Sequence, residues 1–315
     1  MNKMLSFKRF CFFAAITIFI AFTLTACGGS EESSGGQVFF RVTRDFGRQE
    51  LFAGQVHVTP GESALEALQR HLKVQTGHGG RFVTSIEGLA STAKGNLNYD
   101  WFFYANGITA SVGGGDYYPR EGDVIWWDYR AWGDSFFTPA VTGAFPQPFI
   151  NGYRGNNPGT AILYTDAGRE GAEKLRDYLH EIGVGEVRTE AYGEYDLANP
   201  KEILMVIALW PELADEPFWQ GMVDNREKIG WFARLDTSGF TATGLTEEQE
   251  VYGSSAGVIL ASGSGLGDAT PLWLLTALDE VSLNKTADLL VENPQSLQGT
   301  YGVLITDGGI IRLPL

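Results

Sequence analysis

The chain has 315 residues, of which 44% are apolar and 19% charged, with a formal net charge of −15. That length exceeds one ordinary core and suits two domains, and the composition excludes a low-complexity chain. The acid excess argues against nucleic acid as a partner, because phosphate binding needs a basic face.

Residues 1–26 read as a lipoprotein signal peptide. Lys3, Lys8 and Arg9 form a positive start, and "FCFFAAITIFIAF" follows as an apolar run shorter than a membrane span. "LTAC" then sets small residues before Cys27, the expected point of cleavage and lipidation. Residues 27–36 read as a polar, glycine-rich tether. Cys11 leaves with the signal and Cys27 carries lipid, so no thiol remains for a disulfide, a metal or a nucleophile. Cleavage removes three of the 23 positive residues and none of the 38 acids, leaving −18. The expected location is the extracytoplasmic face of the cell membrane, held by lipid.

Residues 37–136 read as the first domain. "QVFFRVTRDF" alternates and predicts a strand, and "GQVHVTP" predicts a second one ended by Pro60. "SALEALQRHL" predicts a helix with Ser63 and Glu66 as a capping box. "RFVTSIEGLA" and "DWFFYANG" predict two more strands, the latter closing on the turn pair Asn106-Gly107, and "DVIWWDYR" predicts the last. Strands, one helix, then strands is the order of a β-grasp. Val124, Trp126 and Phe102 read as sheet core. A single helix covers only one face of a sheet, so the rings of the other face would meet solvent or a partner. The glycines at 113–115 read either as a long turn or as a place of close backbone approach to a ligand.

"YDWFFYANGITASVGGGDYYPREGDVIWWDY", with the preceding "VTSIEGLA", resembles the bacterial DUF4430 family. That family is similar to the C-terminal β domain of transcobalamin and intrinsic factor. The resemblance covers about 100 residues. It implies a ligand-binding β-grasp, and in the animal proteins this domain closes over one face of cobalamin. Carried over, it suggests a corrinoid or other flat ligand held by Tyr99, Trp101, Tyr104, Gly113, Gly114, Asp116, Tyr117, Trp127 and Tyr129. The carriers also have a large helical domain, and no long helical repeat is present here. His57, His71, His78 and His180 are the histidines. Of these His78 is the best placed by flexibility for a cobalt ligand, but its loop position reads first as that of a solvated histidine. No His, Cys or carboxylate cluster has zinc or calcium spacing, and no bound cofactor is expected.

Residues 137–157 are rich in Pro, Gly and Asn and read as a linker. Residues 158–315 read as an α/β domain with a mainly parallel sheet. "GTAILYTD", "EVRTEAY", "EILMVIALW", "AGVILASG" and "YGVLITDGG" predict strands, and "GREGAEKLRDYLHEIG", "EPFWQGMVDNREKIG" and "ATPLWLLTALDEV" predict helices. In "GVILASGSGLGDATPLW" a strand enters a glycine-rich loop and then a helix opened by Asp268. Such a loop can hold phosphate, or simply turn the chain. "YTDAG" at 164–168 is a similar strand end, and both loops are expected at the carboxyl edge of the sheet. "YGSSAG" forms no nucleophile elbow, and Glu247, Glu248 and Glu250 read as a solvated run.

The function expected from these features is a lipid-anchored envelope protein, not an enzyme, that captures cobalamin or a related corrinoid for a membrane importer. The alternative is a surface module that docks a protein or glycan without binding a small molecule. A weaker third reading is an enzyme acting on a phosphorylated substrate at "GSGLGD".

Overall fold

The computed structural model describes residues 35–95, 97–133, 137–193, 195–245 and 249–315. The signal segment, Cys27, nearly all of the tether, and Glu247 and Glu248 lie outside the described residues.

In the first half the chain runs β1 (Gly36–Arg44), β2 (Gln49–Val58), α1 (Ala64–Gln69), β3 (Val74–Gly77), β4 (Phe82–Ile86), β5 (Leu89–Ala90), β6 (Thr92–Lys94), β7 (Leu97–Ala105), β8 (Ile108–Thr109) and β9 (Val124–Trp132). The main sheet has the order β2-β1-β9-β7-β6, with β8 paired to β7. β1 and β9 are parallel and the remaining pairs antiparallel. β3, β4 and β5 form a small second sheet. Alternation sorts the side chains: Val38, Phe40, Val42, Ile125 and Trp127 face α1, while Phe102, Tyr104 and Trp126 belong to the opposite face. The Ser63–Glu66 capping box forms as expected. Asn106 and Gly107 both take positive φ, the geometry of a two-residue hairpin turn, and connect β7 to β8.

The second half continues with β10 (Thr160–Tyr164), α2 (Arg169–Glu181), β11 (Val187–Ala191), β12 (Ile203–Leu209), α3 (Trp210–Leu213), α4 (Pro217–Asp224), α5 (Arg226–Ile229), β13 (Ala233–Asp236), β14 (Gly239–Thr243), β15 (Gln249–Tyr252), β16 (Gly257–Ser262), β17 (Leu272–Ala277), α6 (Glu280–Glu292), β18 (Gly302–Thr306) and β19 (Gly309–Leu313). Its main sheet has the order β11-β10-β12-β17-β16-β18-β19. The pairs up to β17 are parallel and those beyond it antiparallel, so the sheet is mixed rather than mainly parallel. The protein as a whole is α+β.

The second half differs from the reading of the sequence in two main places. The expected helix over "ATPLWLLTALDEV" is strand β17 followed by the start of α6, which Asp279 caps through Ser282. Every residue of β17 is buried, and a short apolar run buried on both faces carries no period that separates strand from helix. β13–β15, an antiparallel sheet between α5 and β16, was not anticipated.

α2 and α6 cover one face of the mixed sheet. Its other face shares a continuous core with Phe46, Tyr104 and Trp126 of the first half. Trp126 and Tyr104 both meet Tyr301 edge-on, at 5.4 and 5.8 Å between ring centres, and Phe46 meets Phe232 at 5.5 Å. The segment expected as a linker is largely buried here, with Ala140, Phe145 and Phe149 packed around Trp273. From Ser34 to Leu315 the chain is one compact unit.

Polar groups on the shared face are buried and largely bonded to one another, with the Arg130 Nε left unpartnered. Trp126 Nε1 donates to Thr43 Oγ1 at 2.7 Å, and that hydroxyl donates to Asp128 Oδ1 at 2.6 Å. Tyr301 Oη donates to Asp128 Oδ2 at 2.8 Å. Arg130 lies 3.6 Å above the Phe102 ring and donates to Thr138 Oγ1 at 2.9 Å. Burial pushes the Asp128 carboxyl up, against the opposing pull of its hydrogen bonds and of Arg130.

Tyr301→Phe removes one of these donors and is expected to cost about 1–3 kcal/mol, read as a lowered urea midpoint. A carboxyl raised in the folded state binds more protons than in the unfolded chain between the two pKa values. Stability from Asp128 is therefore present at low pH and lost as pH rises through its folded value. Wild type is expected to gain stability relative to Asp128→Asn as pH falls from about 7 towards about 4.

Candidate functional site

The structure gathers most of the nine sequence-derived candidates, but as core. Trp127 is buried and stacks on Phe103 at 4.5 Å. Tyr117 is buried edge-on to Phe103, and burial pushes its hydroxyl well up. Trp101 and Tyr129 sit side by side, and their polar tips donate to the Leu89 and Ala90 carbonyls at 2.8 Å each, fastening the β5 turn to the main sheet. Tyr99 stacks on Tyr129. Tyr104 lies on the opposite face, bonded to Thr138. The expected open ring surface is absent because each face has a cover: α1 and the β3–β5 sheet on one side, the second half of the chain on the other.

The glycine loop is spent internally as well. The Gly114 and Tyr117 carbonyls accept the Leu65 and Ala64 amides, closing the first turn of α1, and the Gly115 amide donates to Arg81. A methyl on Gly114 would sit 2.6 Å from the Trp127 ring, and one on Gly113 would run into the Arg81 carbonyl. Close packing within the protein therefore explains these glycines. Asp116 is partly exposed and pairs with Arg81 at 3.6 Å. His78 has positive φ and meets the exposed ring of Phe82 at 5.6 Å.

A cleft does exist, and a different glycine loop lines it. Residues 263–271 join β16 to β17 as an antiparallel connection, so no helix begins at Asp268. Asp268 instead holds the loop shut, accepting from the amide and hydroxyl of both Ser264 and Thr270. Gly267 donates its amide to the Thr109 carbonyl at 2.8 Å and packs against Ser111 and Tyr153, so this loop docks on the turn that precedes Gly113. Its other side borders a cleft of about 380 Å³, lined also by Leu197, Pro200, Lys201, Phe218 and Met222. Three segments far apart in sequence build it, and the Asn199-Pro200 turn signal alone could not have pointed to it.

The two strand-end loops lie at opposite edges of the mixed sheet rather than together. β16 runs against β17, so its exit is level with the entrances of β10 and β12. At the other edge the start of α2 borders a cavity of about 420 Å³ lined by Asp166, Arg169, Glu170, Glu173 and Glu280. Four carboxylates against one guanidinium make it a poor place for a phosphate, whatever the helix dipole offers. Among the described residues, no group of three or more His, Cys, Asp or Glu side chains is placed to hold a metal ion.

Because Gly114 abuts the Trp127 ring, Gly114→Ala is expected to lower stability by about 1–3 kcal/mol, the usual cost of overpacking, measured by chemical denaturation.

No curated protein matches the chain. Among solved structures it is similar to haptocorrin in complex with Cbi, at 20% identity and a TM-score of 0.26, over 32% of this chain and 26% of that one. The chain thus spans about a quarter of the length of that haptocorrin chain. It is also similar to a protein of Ruminococcus gnavus ATCC 29149 assigned provisionally as metal-binding, at 12% identity and a TM-score of 0.23, over 30% of this chain and 95% of that one. Residues 61–131, from the turn before α1 to the penultimate residue of β9, match the family described as a domain of unknown function, and the chain accordingly carries a DUF4430 domain there.

Proposed function

We propose that this protein captures a small ligand, without turning it over, at the cleft beside the 263–271 loop. The observation that carries this reading is the cleft itself. Its volume of about 380 Å³ falls within the range of small-molecule sites, and its lining of Phe218, Met222 and Leu197 with a few polar groups is of the usual kind. Its lining belongs to the second half, and the 263–271 loop that borders it touches Thr109 on its other side. The sheet and single helix of the first half, which contains the DUF4430 match, we read as a β-grasp. The lipobox at Cys27 supports display on the extracytoplasmic face of the membrane, and in this proposal the ligand passes from there to an importer.

A corrinoid is the first ligand class to test, on the strength of the sequence resemblance. A whole corrinoid is too large to be enclosed in the cleft. In this reading it lies across the mouth of the cleft with a side arm inside. Trp101 and Trp127, being core, do not form its platform.

Calorimetry of the unit from Ser34 to Leu315 against cyanocobalamin, hydroxocobalamin and cobinamide tests both parts. Binding is expected to weaken at least about tenfold in Met222→Trp, which fills the cleft. Corrinoid binding indifferent to Met222→Trp would move the site elsewhere. Absence of heat with every corrinoid and every small amphipathic ligand tried, together with retention of one defined envelope protein or glycan, would replace this reading with the docking one.

A further inference from the structure

Many cations of this acidic chain are matched to carboxylates. Arg70, Lys174, Arg188 and Lys285 each have one within 3 Å. Arg41, Arg48 and Arg312 break the pattern. They converge where β1 and the loop after it meet the C-terminal residues, and they bond chiefly to neutral oxygens. Arg41 Nη2 donates to Gln298 Oε1 at 2.8 Å. Arg312 Nη2 donates to the Gly299 carbonyl at 2.6 Å and the Gly47 carbonyl at 3.2 Å, and its Nη1 makes a long 3.4 Å bond to the Gln298 carbonyl. Arg48 Nη2 donates to the Pro314 carbonyl at 2.5 Å.

The guanidiniums are close enough to repel one another. A methyl placed on Gly299 would meet Arg41 Nη1 at 2.9 Å and Arg312 Nη2 at 3.5 Å, so both groups flank the same point. Burial, and beyond it Arg312, hold Arg41 below its ordinary value despite Glu50, and burial and Arg48 do the same to Arg312 despite Asp128. Glu50 is 3.8 Å from Arg41 Nε, outside hydrogen-bond reach, with a side chain more than half exposed. The buried Nε groups of Arg41 and Arg312 have no hydrogen-bond partner. Carbonyl dipoles satisfy donors but leave net charge uncompensated, and three guanidiniums against the exposed Glu50 and the buried Asp128, which Arg130 also faces, leave cationic charge in excess.

We propose that Arg41, Arg48 and Arg312 form a binding site for a phosphate group, either inorganic phosphate or a phosphomonoester. An oxyanion would offset this excess, and the planar fork of arginine suits the geometry of a phosphate. Arg48 is exposed and Arg312 half-buried, so the anion approaches past them, with Arg41 at the base. Bound there, it ties β1 and the following loop to the C-terminal residues. The site is separate from the ligand cleft and does not depend on that reading.

The test is a titration of the Ser34–Leu315 unit with sodium phosphate at pH 7.5, read by calorimetry and by melting temperature, against sodium chloride at equal ionic strength. A saturable rise in melting temperature with phosphate alone is expected. Glu50→Gln, which removes the exposed carboxylate nearest Arg41, is expected to tighten phosphate by about threefold or more. Arg48→Gln is expected to weaken it by about fivefold or more, each variant's affinity being compared on protein shown to melt cooperatively. A parallel titration with glycerol 3-phosphate identifies the source: equal affinity points to inorganic phosphate and tighter binding to a phosphomonoester. A phosphate response no larger than that of chloride, or one unchanged in both variants, overturns the proposal.

Discussion

Burial of the Trp126 face of the first sheet against the second half of the chain is the constraint on which the rest of this structure depends. A sheet with one short helix leaves half its surface to be covered. Here Tyr301 and Phe232 cover it, and the same contact removes Asp128 and Arg130 from water. Two charges in such a place are tolerated because Thr43, Tyr301, Thr138 and the Phe102 ring supply their partners. The network is as much a fit between the two halves as the apolar packing around it. A half sheet presented alone would expose both.

That contact also moves the surface open to a ligand away from the rings. Aromatic residues crowded into one sheet can mean a surface for a flat molecule or a core with two covers. The second cover comes from residues more than 100 positions further along the chain, and nothing local announces it. Once it is in place, the rings of β7 and β9 are interior, and the glycines at 113–115 serve the close approach of Trp127 and of the Arg81 backbone. What remains for solutes is the margin of the contact, where the 263–271 loop touches Thr109 and Ser111 on one side and opens a cleft on the other.

The margin opposite in character lies near the chain's C-terminal residues, where Arg41, Arg48 and Arg312 bridge the halves through carbonyl oxygens. An acidic protein gains little from grouping cations without carboxylates, since the repulsion among them is felt in a partly buried place. The same joint thus carries an amphipathic cleft at one border and a cationic cluster at another. Each follows from how two separately patterned sheets meet.

Much of the architecture was legible in short-range signals. Alternation placed β1, β4, β7 and β9, the Ser63–Glu66 spacing placed the start of α1, and Asn106-Gly107 placed a hairpin, because these signals act through residues a few positions apart. The DUF4430 domain was recognisable for the same reason: its turns and rings recur at fixed spacing along a continuous stretch. The strand nature of Leu272–Ala277, the antiparallel run of β16 and the burial of 137–157 were not legible, since a fully apolar run has no period and strand direction is set by partners elsewhere. Nor was the fate of Trp101, Tyr117 and Trp127. By itself the sequence determined which residues are apolar, where strands and one helix begin, and which turns need glycine. Only the tertiary structure decided which apolar faces meet each other rather than a ligand, because burial is a property of the whole packed chain.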